Sequence, residues 1–359
     1  MPEPDRVPLT APQPAIKSGA ATRWVAVSVI ALIIVAVIAV VLSRRPKTGD
    51  PQAAGVTASD SKPGTSVATT ASGARTLKSY EFDFVTVDAQ AKQTSSGRSQ
   101  ARYFTEDLGA GVALDMVEIP AGSFYMGSPQ SEKERFGEEG PQRKVAVPAF
   151  YMGNYEVTQN QWRAVASLPK VNMDLNPSPS IFAGVDGPVE NVSWEEAVEF
   201  CDRLSLKTRA KWRLPSEAEW EYACRARTTT PFYYGDNINS ELANYDGQRP
   251  YADGPKGEYR NHPTDVEKIG YANDFGLKGL HGNVWEWCQD TWHDDYRDAP
   301  QDAKAWVVGG SQRIIRGGAW NSPANNCRSA YRKTERKERK LSVIGFRVVI
   351  SASEIQKQQ

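Results

Sequence analysis

The stretch His281-Gly-Asn-Val-Trp-Glu-Trp287 decides the fold of this 359-residue chain. Its Gly-Asn pair is a turn signal, and two indoles around a carboxylate follow at once. A buried carboxylate needs a cation or several hydrogen-bond donors, so Glu286 marks a structural or ion-binding centre. Further along stand Arg316-Gly-Gly-Ala-Trp320 and Gly345-Phe-Arg347. Before it come Met116-Val-Glu-Ile-Pro-Ala-Gly-Ser-Phe-Tyr-Met-Gly127, Asn154-Tyr-Glu-Val-Thr158, Pro188-Val-Glu-Asn-Val-Ser-Trp194 and Arg213-Leu-Pro-Ser-Glu-Ala-Glu-Trp-Glu-Tyr222.

Between these segments short apolar runs alternate with Gly, Pro and Asn, and two stretches read as helices. In residues 193–204, Ser193 caps and Glu196 closes a capping box, with Ala197, Val198, Cys201 and Leu204 on one face. In residues 216–224, Ser216 and Glu219 repeat the box. The rest reads as short strands and long loops, and loops of that length carry function or ions.

Ahead of this region the texture differs. Residues 1–23 are Pro-rich and read as a disordered tail. Residues 24–42 are apolar except for Ser28, long enough at about 1.5 Å per residue to cross a bilayer core, which predicts a transmembrane helix over 24–43. The run is too long for a signal-peptide core, and basic residues flank both ends. Arg44, Arg45 and Lys47 lean toward a cytoplasmic C-terminal domain, whereas a short leading tail leans the other way, so the side stays open. A single-pass protein of a bacterial inner membrane is expected. Residues 44–79, rich in Ala, Ser, Thr, Gly and Pro, read as a flexible stalk. Residues 80–101 read as a short preface with one strand, followed by a polar gap. The main domain is expected over 102–352, with a tail at 353–359.

Equal numbers of basic and acidic residues argue against nucleic acid as a partner. Ten tryptophans and fourteen tyrosines supply a substantial core, so the four cysteines are additions to stability rather than its source.

In order and spacing these motifs resemble the formylglycine-generating enzyme (sulfatase-modifying factor) family from residue 102 to about 351. The resemblance implies an α+β fold with much irregular loop, a variant C-type-lectin-like fold whose loops are held by calcium. It implies one calcium site at Gly282, Val284 and Glu286. This chain departs there, because Gly279 lacks the side-chain oxygen that the family has at that position, and calcium requires six to eight oxygens. Pairing of Glu286 with an arginine such as Arg316 is the alternative. A second calcium site is implied at Asn244 and Tyr245, completed by Glu258 and Tyr259, with an ordinary polar loop as the alternative.

The family's enzyme holds copper with a cysteine pair shortly after the Gly-Gly turn, as paired thiolates suit a soft Cu(I) ion. The matching positions, Ser322 to Asn326, contain no sulfur, so copper is not expected. The resemblance also implies a Cys224–Cys327 disulfide. The family's other bridge would join Cys201 to position 348, which is Val348 here, leaving Cys288 as the remaining sulfur. A non-heme-iron branch of the family needs a histidine triad. Here His262, His281 and His293 read as three unconnected loop residues.

Two function classes follow. One is a non-catalytic binding module that presents its loop face to a protein or small ligand. The other is an oxidoreductase of formylglycine-generating type. The run Lys333-Thr-Glu-Arg-Lys-Glu-Arg-Lys340 reads as a solvated loop, or alternatively as a docking patch.

Overall fold

The computed structural model describes residues 75–357, apart from 185 and 269. The tail, the expected transmembrane helix and most of the stalk therefore lie outside the described residues. Among the described residues, no helix is long and apolar enough to cross a membrane.

The chain opens with a long hairpin, β1 (Lys78–Val87) and β2 (Gln93–Gly109), followed by β3 (Val112–Ile119). On β1 the side chains of Phe82, Val85 and Val87 are buried. The 101/102 boundary falls inside β2, where Ala101 pairs with Tyr80 and Phe104 with Met116. The hairpin is thus the outer part of the main sheet rather than a separate preface. Arg75, assigned to the stalk, is buried against Glu106 at 2.6 Å.

Strands β4 (Gly122–Met126) and β5 (Arg143–Val147) pair with each other, and β6 (Phe150–Gly153) returns to the main sheet. Then come α1 (Gln159–Ala166), α2 (Trp194–Thr208), β7 (Trp212–Arg213) and α3 (Glu217–Arg225). The second half holds β8 (Trp285–Thr291), β9 (Gln312–Arg316), β10 (Arg332–Arg336), β11 (Ile344–Gly345), β12 (Val349–Ser351) and a terminal α4 (Ala352–Gln356). The main sheet runs β1-β2-β3-β6-β12-β7, and a second sheet runs β10-β9-β8-β11.

Both expected helices form, and both capping boxes are made: the backbone N–H of Glu196 donates to Ser193 Oγ at 3.1 Å, and that of Glu219 to Ser216 Oγ at 3.0 Å. The charge run expected to be a loop is half strand: β10 pairs with β9. Lys337 then bonds Glu195, and Lys340 bonds Glu196 on α2.

Buried ion pairs position the loops. Helix α3 carries Glu217, Glu219 and Glu221, all buried. Glu217 meets Arg332 at 2.8 Å, Glu219 meets Arg213 at 2.6 Å, and Glu221 meets Arg225 at 2.9 Å and also Arg316. Arg328 bridges Glu132 and Glu139, each at 2.6 Å. Removing one partner from such a pair strands a buried charge, so each pair fixes a specific loop path.

Candidate functional site

The Gly-Asn turn is the hub of the loop region. Gly282 and Asn283 both take left-handed φ, +93° and +61°. A Cβ at Gly282 would stand 2.2 Å from the Asn244 carbonyl oxygen, so only glycine permits this approach. Asn283 accepts from Trp320 N–H at its carbonyl and donates its own N–H to Asn244 O at 2.7 Å. Its side chain accepts from Asn244 Nδ2 at 3.2 Å and from Thr264 N–H at 2.9 Å, and donates to Glu156 Oε1 at 3.1 Å. Thus the Asn244 loop, the Trp320 loop and the Glu286 centre meet at one residue, Asn283.

At the Glu286 centre both carboxylate oxygens are engaged. Arg347 donates to them through Nε and Nη2, each at 2.7 Å, and Trp220 Nε1 donates at 2.7 Å. The same guanidinium also donates to the carbonyls of Gly153, Asn154 and Lys278. Arg347 therefore gathers the carboxylate-and-carbonyl oxygens that a hard cation would gather. The arginine partner is Arg347, whereas Arg316 serves Glu221 and Glu217. Val284 is fully buried beside this pair. The place of the missing side chain at Gly279 is filled from elsewhere: a Cβ there would stand 2.5 Å from Glu156 Oε2. That oxygen has no hydrogen-bond partner. Burial, with Glu286 adding to it, pushes the Glu156 carboxyl up to about 8 against the pull of Arg347.

The Asn244 loop differs. Asn244 is fully buried, its Nδ2 donates to His262 O at 2.9 Å, and its Oδ1 has no partner. Thr264 Oγ1, beside the same Asn283, is a second buried oxygen without a partner. Unpartnered buried oxygens are groups a cation could take up, and the Asn244 loop keeps two of them, whereas both Glu286 oxygens are engaged by Arg347 and Trp220. Tyr245 is buried, with its hydroxyl donating to Ile238 O at 3.4 Å. The Glu258 carboxylate instead points outward to Arg260 at 3.1 Å, and the Tyr259 ring stacks on Trp320.

The segment after the Gly-Gly turn holds no cysteine pair. Gly317 and Gly318 have φ of +94° and +79°, and a Cβ at Gly318 would meet Cys327 Sγ at 2.4 Å. The turn closes on itself as Ser322 Oγ accepts from Ala319 N–H at 3.0 Å. Cys327 is fully buried, its sulfur 3.8 Å from Pro323 O, and burial pushes its thiol far up. The residues after this turn therefore do not fit Cu(I), which calls for a pair of accessible thiolates.

The expected Cys224–Cys327 disulfide is not formed: all four cysteines are free and buried. The His281 imidazole touches both residues. Cys224 Sγ lies 3.9 Å from both of its nitrogens and 3.6 Å from Ser329 Oγ. His281 Nε2 accepts from Tyr233 N–H at 3.0 Å, so Nδ1 carries the proton and donates to Cys327 O at 2.7 Å. The ring thus stands between one thiol and the other cysteine's backbone. Burial lowers the His281 pKa to about 3, which keeps it neutral and structural. His262 is exposed, and His293 stacks on Trp306. No cluster of three or more His, Cys, Asp or Glu side chains suited to a metal occurs among the described residues.

Sequence reasoning missed the aromatic ledge beside this turn, where Phe182 packs edge-on to Trp320 and Tyr259 stacks on it. Ile181, next to Phe182, is exposed. These rings come from loops distant in sequence, and no periodicity announces them.

Loop-rich α+β architecture and the hub at Asn283 define the class: a domain of sulfatase-modifying-factor type. Residues 106–352 match the sulfatase-modifying factor enzyme 1-like domain, and the chain belongs to that family. It is 28% identical to the formylglycine-generating enzyme of Bos taurus over 65% of this chain and 73% of that protein. It is also 28% identical to the inactive C-alpha-formylglycine-generating enzyme 2 of Bos taurus, over 61% and 80%. Among solved structures it is similar to PvdO from Pseudomonas aeruginosa, with a TM-score of 0.60 and 30% identity over 69% of this chain and 97% of that one.

Proposed function

We propose that this chain is a non-catalytic binding module, with the ledge of Phe182, Trp320 and Tyr259 as the seat for a partner protein or small ligand. The observation that carries it is the sulfur-free turn at Ser322–Asn326, with Cys327 buried behind it. Equal identity to an active and an inactive relative leaves this chemistry as the discriminator. The Asn244 loop takes one calcium ion, which would hold the ledge's neighbouring loop. The apolar run at 24–42 would attach the module to a membrane.

The test is to incubate the protein with Cu(I), oxygen and a cysteine peptide of the sulfatase type. The peptide thiol should persist with no aldehyde formed. Aldehyde formation that is lost in Cys327→Ser would make the oxidoreductase reading the correct one.

A further inference from the structure

The connection from β8 to β9 ends in an exposed tip without a charge. Residues 307–312 read Val-Val-Gly-Gly-Ser-Gln, and every one of them is exposed. Val307 is 52% and Val308 68% exposed, a pair of adjacent apolar side chains in water. A Cβ at Gly309 or Gly310 would meet nothing within 4 Å, so the tip is convex and stands clear of its neighbours. Its base is fixed. Trp306 N–H donates to Asp290 Oδ1 at 2.8 Å, Val308 N–H to Thr291 Oγ1 at 3.1 Å, and Lys337 N–H to Ser311 O at 2.8 Å.

Two indoles, Trp292 and Trp306, lie half-buried at that base, with Trp306 stacked on His293. An apolar tip with amphipathic rings behind it follows the order of groups at a membrane interface, where indoles settle at headgroup level. The rim is close to neutral. Lys304, Arg336 and Lys337 are matched by Asp302, Glu338 and Glu195. Beside them Lys333 lies over the Trp285 ring and Arg339 is exposed, while Glu335 accepts from Arg336 N–H and Asp294 from Trp292 Nε1. Charge of either sign therefore does not select the occupant; removal of the valines from water does. The length of chain ahead of the domain says what lies within reach. Residues 43–74 follow the apolar run at 24–42 and span at most about 110 Å, so a bilayer that holds the run is within reach of the tip. A tethered contact needs little affinity of its own, because attachment makes it intramolecular.

We propose that the tip at Val307 and Val308 docks on the lipid surface of the bilayer that holds residues 24–42, with its valines among the acyl chains and Trp292 and Trp306 at headgroup level. The inference rests on the membrane attachment proposed above. It assigns the face that the domain turns to the lipid, and the aromatic ledge takes no part in it.

The experiment reads depth with a nitroxide on the full-length protein in vesicles of phosphatidylcholine and phosphatidylglycerol. The four native cysteines are buried and stay unlabelled. Labels are attached one at a time through Val307→Cys, through Glu241→Cys at an exposed turn, and through Ile34→Cys. Oxygen partitions into acyl chains and a nickel chelate stays in water, so the ratio of their relaxation effects reports immersion. The oxygen-to-nickel ratio at 307 and at 34 should exceed that at 241 severalfold. Adding Val308→Asp should return the 307 label to the ratio seen at 241 and leave the melting temperature unchanged. A 307 label in water with a 34 label in lipid overturns the docking and leaves the attachment standing. A 34 label in water overturns the attachment and the docking with it. Loss of nickel access at 307 without a gain in oxygen places a second copy of the chain on the tip and also overturns the proposal.

Discussion

Glu286 and Asn244 lie on either side of Asn283, and each stands where the family's resemblance implies a calcium ion, yet they are satisfied in opposite ways. At Glu286 the chain supplies its own cation, Arg347, held by two 2.7 Å bonds and three backbone carbonyls. At Asn244 a fully buried carbonyl oxygen is left without a partner. The lesson is that one scaffold can hold its loops by an internal ion pair or by a borrowed ion, and the donor inventory of each centre tells which.

The largest effect should come from removing the internal cation. Arg347→Ala leaves Glu286 charged, buried and bonded only to Trp220, and should cost about 3–5 kcal/mol in denaturant unfolding. Replacing both partners, Arg347→Met with Glu286→Leu, should cost clearly less than the single change, because no stranded charge remains. A single-variant cost below about 1 kcal/mol would show that the pair does not hold this centre.

The other side should answer to calcium. At a hundredfold excess over its dissociation constant, a ligand of the folded state adds about 2.7 kcal/mol. Calcium should therefore raise the melting temperature and chelator should lower it. Asn244→Ala should abolish this response, whereas Glu286→Gln should retain it. A melting temperature indifferent to calcium and chelator would remove the contrast between the two centres.

Gly279 sharpens it further. The position looks like a lost ligand that an aspartate could restore. The structure argues otherwise, since φ is +73° and a Cβ would press on Glu156 Oε2. Gly279→Ala should cost about 1–2 kcal/mol from backbone strain alone, measured by thermal unfolding. Gly279→Asp should bring no new calcium response, and a restored response would show that Glu156 yields its place.

How much of this was legible depends on the kind of signal. The helices at α2 and α3 carry Ser-x-x-Glu boxes, which act within one turn and can be read locally. The same logic was available for α1, where Thr158 and Gln161 form a box that went unread. Strand β2 was missed because its first half is polar and exposed. Its pairing rests on backbone bonds to β1, which leave no apolar alternation to read. The buried carboxylates of α3 alternate at every second residue, a spacing with no meaning for one helical face. Their arginine partners lie from 4 to 115 residues away in sequence. The disulfide was implied by the family resemblance alone, and the His281 ring that contacts Cys224 Sγ and Cys327 O belongs to a motif read for other reasons.

The last effect is a slope rather than a step, and it is the smallest change over any short interval of pH. Glu156 links the two centres: Oε1 accepts from Asn283, while Oε2 faces Gly279 without a partner. In the folded state its carboxyl keeps its proton up to about 8, against 4.5 for the free group. Between these values the folded protein binds more protons than the unfolded chain, so this group makes stability fall as pH rises. Asp290, raised to about 7 by burial and then by Glu217, adds a slope of the same sign over an overlapping range. Glu156→Gln keeps an oxygen for Asn283 and removes the titration. Denaturant unfolding measured from pH 5 to pH 8 should show a shallower decline in the variant than in the parent, with the variant gaining most at the alkaline end. A parallel decline in both proteins would mean that Glu156 is already ionised at neutral pH. Arg347 would then neutralise two carboxylates, and the Glu286 centre would be a three-membered cluster rather than a closed pair.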